Sequence, residues 1–316
     1  MSYRYVRFFT IILAAAFVCA VAWVSWGKTT GRSGIMQRLT DSTGAVVLLP
    51  AHPQRVVILN ASNLDLYYGA GGTVVGRPLT SSLMPELAEK VEDIPAVGSV
   101  YQPSVEEIAA MQPDLVIGDD VPFHRSLRNS LAEEGIPLYI NRLHTYDDVL
   151  QTLRFFGRLT GQEDTAAALE KTIAKEYAVV HDKAIGKKAP RTLILFGTRE
   201  ALQMATGRSF SGALLNEIGG GNIADAIQTE APLVPLDEAY IAAADPEVIL
   251  FINMVHDPAV VDSFRKDMTA GNIWQRLSAV RNGRVRFLPG DLFAVNPGSR
   301  IAKAMAVLYC RVYSTK

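Results

Sequence analysis

The chain states one αβ plan twice. Residues 103–118 read PSVEEIAAMQPDLVIG and residues 235–251 read PLDEAYIAAADPEVILF. Each copy is an acidic, Ala-rich helical segment, then a Pro behind a polar residue, then a Val/Ile run of the kind that forms a strand buried on both faces. Each also follows a matching opening: RVVILN at 55–60 and RTLILF at 191–196 are short β-branched runs leading toward glycine turns at Gly71-Gly72 and Gly219-Gly220-Gly221. Two equivalent modules predict an α/β chain of two Rossmann-like lobes. The cleft between such lobes is the expected place for a small molecule.

Between the copies, residues 163–185 (EDTAAALEKTIAKEYAVVHDKAI) are rich in Ala, Glu and Lys and hold no Gly or Pro. That composition predicts one helix of roughly 35 Å, long enough to touch both lobes. A single stiff connector permits only limited opening and closing on ligand capture. The expected division is a leader or anchor with its spacer at 1–35, an N-terminal α/β lobe at 36–161, the connecting helix at 162–187 and a C-terminal α/β lobe at 188–316. Within the first lobe, Asp41-Ser42-Thr43-Gly44 marks the turn of a hairpin over 39–49. A helix is expected from Asn63, as its cap, to Tyr68, then a strand over 73–76, and a second helix over 146–159 ended by Gly161.

Composition bounds the function. The chain has 316 residues, 49% hydrophobic, enough for more than one core. Its net charge of −1 leaves no basic surplus for nucleic-acid binding. Only two cysteines occur, so no disulfide framework is available to the folded part. Arg4 and Arg7 precede an apolar run from Phe8 to about Trp26, the layout of an export signal or membrane anchor. Cleavage near Ala20-Val21-Ala22, retention as an anchor and lipidation at Cys19 all stay open, although Val18 is bulkier than the small residue expected before a lipidated cysteine. The segment 28–34 (KTTGRSG) reads as a flexible spacer.

No phosphate loop, His-Glu-x-x-His pair or Gly-x-Ser-x-Gly elbow occurs, which argues against an enzyme. Gly219-Gly220-Gly221 closes a helix before a strand, the wrong order for a nucleotide site. The five histidines, His52, His124, His144, His181 and His256, show no ligand spacing, which disfavours a receptor for bare zinc or manganese.

Several linked stretches, in order, carry a family likeness. VVILNASNLDLYYGAGGTVVGR, IPAVGSVYQPSVEEIAAMQPDLVIG, the long helix, ATGRSFSGALLNEIGGGNI, PLDEAYIAAADPEVILF and NIWQRLSAVRNGRVRFLPGDLF together resemble the iron-chelate and vitamin B12 class of ABC-transporter substrate-binding proteins, from Leu39 to the C-terminus. Within that class PAVGSVYQP, ATGRSF and EVILFINMVHDP are similar to the haem-receptor lipoproteins. The resemblance implies the class III periplasmic-binding-protein fold, two α/β lobes bridged by one helix. It also implies an exported chain with no intrinsic cofactor, which takes haem, a ferric siderophore or a corrinoid and hands it to an ABC permease.

The resemblance further implies roles for particular residues. A carboxylate on each repeated helix pairs with permease arginines, here Glu106 and Glu238. Glu106 stands seven residues before Pro113 and Glu238 eight before Pro246, so Asp237 or Glu238 serves after a one-residue shift. Tyr101 occupies the place of an axial iron ligand, and phenolate is a hard anionic donor suited to ferric haem. Met254 and His256 are the candidate companions from the second lobe, with His256 also a candidate metal ligand. Arg208 and Arg77 are candidates to hold propionates or chelator carboxylates through bidentate bonds.

Overall fold

Each repeated helix ends against an arginine at the start of the preceding module strand. The computed structural model that shows this describes residues 35–254, 257–269 and 273–314. The expected leader or anchor with its spacer, and His256, lie outside the described residues. In the first module, strand β3 (Val56–Ile58) pairs in parallel with β7 (Leu115–Gly118). In the second, β9 (Arg191–Gly197) pairs in parallel with β13 (Val248–Asn253). Arg55 Nη2 donates to the Met111 carbonyl at 2.7 Å and its Nε to Gln112 at 3.2 Å. Arg191 Nε donates to Ala244 at 3.1 Å and its Nη2 to Asp245 at 2.9 Å. Gln112 (φ 46°) and Asp245 (φ 41°) are the non-glycine residues with positive φ among those described, and each directly precedes its module's Pro. A left-handed residue with a Cβ costs roughly 1–2 kcal/mol. The guanidinium fork offsets this by satisfying carbonyls that a helix end leaves free. The acid after each Pro completes the pattern: Asp114 accepts from the Arg55 amide at 3.0 Å, and Glu247 from the Arg191 amide at 2.9 Å.

Around these pairs the lobes differ. The first holds a parallel sheet in the order β3-β7-β8, with β8 at Leu138–Ile140. A second small sheet follows the order β4-β5-β6, built from Arg77–Leu79, Ala96–Ser99 and Gln102–Pro103. The strand expected over 73–76 begins later, at Arg77. The Val75 amide bonds to Val56 and the Ile58 amide to Gly76, so this stretch carries the chain from one sheet to the other. The hairpin expected over 39–49 is present as β1 (Met36–Thr40) and β2 (Val46–Pro50), and Asp41 Oδ1 accepts from the Thr43 amide at 2.9 Å in its turn. The second lobe is a mixed sheet in the order β12-β10-β9-β13-β14, from Leu233–Pro235, Leu202–Ala205 and Val285–Leu288 beside the central pair, with β11 (Gly221–Asn222) on β9.

Seven helices matter for the site: α1 (Ala61–Gly69), α2 (Val105–Ala110), α3 (Tyr146–Thr160), α4 (Glu163–Ala184), α5 (Phe210–Glu217), α6 (Glu238–Ala244) and α7 (Ile301–Tyr313). Helix α3 ends as expected at Gly161, and Thr145 with Asp148 forms a capping box at its start. Asn63 does not cap α1. The helix starts two residues earlier, and Asn63 is buried inside it, exchanging hydrogen bonds with Asn141 beyond β8 at 2.7 and 3.2 Å.

The connecting helix α4 is a spine with a buried face. Ala166, Ile173, Tyr177, Val180 and Ala184 point inward at helical spacing. Its contacts are chiefly with α3 of the first lobe and with α7, the last helix of the chain. Tyr177 stacks on Tyr146 with ring centroids 3.6 Å apart, and α7 is tied in turn to the second lobe where Tyr313 Oη donates to the Ile218 carbonyl at 2.8 Å. One apolar cluster runs unbroken from Ile58 and Phe156 through Ile173 to Ile194, Leu250 and Leu308.

A second junction joins the lobes directly. Ser62 on α1 donates to the Asn296 carbonyl at 2.5 Å, and the Ser299 amide donates to Asp65 at 2.6 Å. Burial pushes the Asp65 carboxyl above its ordinary range, with the Ser299 amide pulling the other way. Gly298 (φ +63°) makes this approach possible, because a Cβ there would run into the Asp65 carboxylate. Replacing Gly298 with Ala is expected to destabilise the protein by roughly 1–3 kcal/mol, from backbone strain and collision together. Urea unfolding checks this, and a variant as stable as the parent overturns the account.

Candidate functional site

Open parallel sheets bind ligands beyond the carboxyl ends of their strands. Tyr101 lies there, at the tip of the hairpin between β5 and β6, where Ser99 pairs with Gln102 and leaves Val100 and Tyr101 as the loop. Gly98 (φ +98°) is required beneath it, since a Cβ would strike the Gln102 carbonyl. Tyr101 is 68% exposed, yet its ring meets Phe123 edge-on with centroids 5.5 Å apart, and Phe123 is itself 44% exposed. Phe123 belongs to the single helical turn Pro122–Arg125 that follows β7. Leu79 at the end of β4 and Val295 beyond β14 are also exposed, so the ends of several strands present apolar side chains to solvent.

Polar groups lie behind this aromatic pair. The His124 side chain is fully buried, and its Nδ1 accepts the Asp119 amide at 2.8 Å. Burial pushes the imidazole down to about 4, so it stays neutral at ordinary pH. Asp119, just past β7, is pushed up to about 6 by burial, with the Asp120 amide opposing and the Asp120 charge adding to the rise. Asp120 is ion-paired to Arg125 at 2.5 Å.

The other sequence-predicted residues are distributed over both lobes. Arg77 Nε donates to the Val91 carbonyl at 2.8 Å, which fixes the guanidinium against its own lobe. Arg208 pairs with Glu230 at 2.8 Å and lines a cavity of about 780 Å³ with Asn216, Asp225 and Thr229, all from the second lobe. Met254 follows β13, half-buried, with its amide bonded to the Gly197 carbonyl at 3.0 Å. The described contacts join Tyr101 to Phe123 and do not join it to Arg77, Arg208 or Met254. Between the lobes, a slot lined by Leu83 and Met84 on one side and Val295 and Pro297 on the other holds only about 20 Å³. Among the described residues, no three His, Cys, Asp or Glu side chains converge as a metal site would need.

Glu106 and Glu238 are both exposed near the starts of α2 and α6. Ser104 caps α2 by accepting the Glu107 amide at 3.1 Å, and Asp237 caps α6 by accepting the Tyr240 amide at 2.9 Å. Caps align Ser104 with Asp237, each nine residues before its module's Pro, so the one-residue offset persists: Glu106 is second in α2 and Glu238 first in α6. The Asp237 carboxylate is occupied as a cap, and the Glu238 carboxylate has no hydrogen-bond partner among the described residues.

Phe123 and Asp119 escaped the sequence reading, and His124 entered it only as one of five histidines without ligand spacing. Their only signal was GDDVPFHR, a polar pair and an aromatic directly after a strand that ends at Gly118.

Comparison with known proteins bears on this arrangement. A family model described as periplasmic binding protein matches residues 56–292. A cobalamin-binding protein of Halobacterium salinarum is 27% identical over 275 residues, covering 84% of this chain and 71% of that protein. The high-affinity heme uptake system protein IsdE of Staphylococcus aureus is 22% identical over 320 residues, 99% of both chains. The crystal structure of S. aureus IsdE complexed with heme superposes with a TM-score of 0.73 at 21% identity, covering 83% of this chain and 99% of that one, a likeness of fold.

The two shifted groups make opposite contributions to stability. Asp119 has a folded value above its ordinary value of 3.8, so its contribution is full at low pH and is lost as pH rises through about 4 to 6. His124 has a folded value below 6.5, so its contribution is full above that pH and is lost as pH falls toward about 4. Asp119→Asn, which can still accept the Asp120 amide, is expected to raise Tm by roughly a few degrees at pH 7 and to change it little at pH 4. Scanning calorimetry at the two pH values checks this; an equal shift at both would show that the Asp119 charge is not what burial opposes.

Proposed function

The chain belongs to the periplasmic binding protein family, and from that membership we propose that its cargo is haem, or an iron chelate of comparable size, seated across the exposed aromatic pair at the strand ends. It is the substrate-binding component of an ABC importer and works outside the cytoplasmic membrane. Among the described residues no helix is long and apolar enough to cross a membrane. Attachment through the N-terminal segment remains part of the proposal.

One observation carries the haem reading: a solvent-exposed tyrosine held edge-on against a phenylalanine at a hairpin tip. An aromatic pair left in water is a face for a flat macrocycle, and a phenol beside it supplies a donor for ferric iron. Met254, with His256 beyond it, is the proposed contact from the second lobe. Arg208 is the proposed partner for a propionate, and Arg77 keeps donors beyond those it gives to its own backbone. The proposed activity is capture and delivery, with no reaction catalysed.

A second reading keeps the fold and changes the cargo. The polar cavity at Arg208 and Glu230 favours a ferric siderophore or corrinoid with amide, hydroxyl or carboxylate groups. A receptor for a bare divalent metal is a third reading.

Hemin titration followed by absorbance separates these readings. Haem binding is expected to shift the Soret band, and Tyr101→Phe to lose that signature and weaken binding about tenfold or more, equivalent to ~1.4 kcal/mol. No shift with hemin, together with tight binding of a ferric siderophore, cobalamin or a divalent ion alone, overturns the haem reading. Delivery is tested separately. Glu106→Lys combined with Glu238→Lys is expected to abolish uptake in cells while leaving cargo affinity unchanged, because exposed charges set docking without touching the cargo seat. Uptake that survives the double reversal removes both residues from the docking role.

A further inference from the structure

We propose that His124 is a positioning residue for Tyr101, a buried wedge that fixes the β5–β6 hairpin against the end of β7 and so holds the cargo-facing phenol in place. The inference deepens the reading of Tyr101 as a cargo contact and rests on it.

The His124 ring makes its link through one nitrogen and leaves the other buried without a partner. Nδ1 accepts the Asp119 amide at 2.8 Å, which leaves the ring proton on Nε2. The Val100 backbone lies close enough to the ring to oppose the effect of burial on it, and Nε2 has no hydrogen-bond partner. Val100 is the hairpin residue directly before Tyr101, and Phe123, directly before His124, carries the ring that meets Tyr101. One imidazole thus adjoins both segments that carry the aromatic pair. The close fit extends to the strand, because a Cβ on Gly118 would touch the His124 ring and its Cβ. A fully buried imidazole with an unmade bond is costly wherever it sits. The depressed titration keeps Nδ1 free to accept, so the link to Asp119 holds at ordinary pH. Holding a ligand loop in its bound geometry lowers the entropy lost on binding, and this is what such a wedge supplies.

The test uses the whole soluble chain and two variants. His124→Leu keeps most of the bulk and removes both ring nitrogens; His124→Asn keeps an acceptor near the Nδ1 position. Amide hydrogen exchange reads the hairpin without any cargo. His124→Leu is expected to speed exchange of the amides in 99–102 about tenfold, and His124→Asn to restore most of the protection. Hemin affinity supplies the second arm: His124→Leu is expected to weaken binding about tenfold in the parent and less than twofold in the Tyr101→Phe background. Unchanged exchange in the hairpin overturns the inference, as does an equal loss of affinity in both backgrounds, which a merely structural role would give. Should hemin not bind the parent chain, the haem reading falls by itself and the exchange arm alone decides the role of His124. If His124→Leu fails to fold, His124→Asn against the parent carries both arms, with a slight loss of exchange protection in 99–102 and a small loss of affinity expected; no change in either overturns the inference.

Discussion

The two lobes are joined about one buried helix face. Helix α4 presents Ala166, Ile173, Tyr177, Val180 and Ala184 to α3 on one side and α7 on the other. Burying each large apolar side chain is worth roughly 1.5–3 kcal/mol, so peeling either lobe away from the spine costs several of these terms at once. The Asp65–Ser299 junction adds a second point of attachment, with the chain on both sides of it committed by Gly298. Two attachments allow less freedom than the single strut implied by the sequence. On the proposed reading, cargo selection in such a frame would fall to the loops at the strand ends, because two attachments limit how far the lobes can reshape around a guest.

The duplication explains where those loops start and why the two halves do not present the same groups. Both module strands begin two residues after the Pro, yet β7 runs for four residues and β13 for six. The first lobe therefore breaks off early into Asp119, Asp120 and the Pro122–Arg125 turn, and uses that turn to place Phe123 and His124. The second continues to Asn253 before Met254 appears. A register that looks uneven in sequence is thus a difference in strand length beyond a shared start. What the modules share is the arginine fork beneath them, which tolerates a left-handed Gln112 in one and a left-handed Asp245 in the other.

Much of the fold was legible because its signals are local. Strand runs, the Ala-rich helix and the glycine after α3 each sit within a few residues of what they control. The repeat was legible for the same reason, as two strings with the same punctuation. The arginine forks were not, since Arg55 and Arg191 act on carbonyls more than fifty residues away and no pattern of residue types announces such a bond. Asn63 has the composition of a cap, and only the position of Asn141 turns it into a buried network. The candidate site divides in the same way. Tyr101 stood out by its place in a loop between glycine and proline, while His124 looked like one of five scattered histidines until burial and the Asp119 amide gave it a role.

The forks also orient the surface on which delivery would occur. Arg55 stands at the start of β3 and grips the last carbonyls of α2; Arg191 stands at the start of β9 and grips those of α6. Both helices thus end at the amino edge of their sheets, so their first turns, with Glu106 and Glu238, lie toward the carboxyl edge. Tyr101 and Phe123 occupy that same edge in the first lobe, and Met254 occupies it in the second. A permease that reads the two proposed carboxylates would meet this molecule over the mouth of the cargo seat. On that proposal charge at the rim would set by long-range attraction how the carrier lands, and the aromatic pair with the proposed Arg208 contact would grip the cargo at short range.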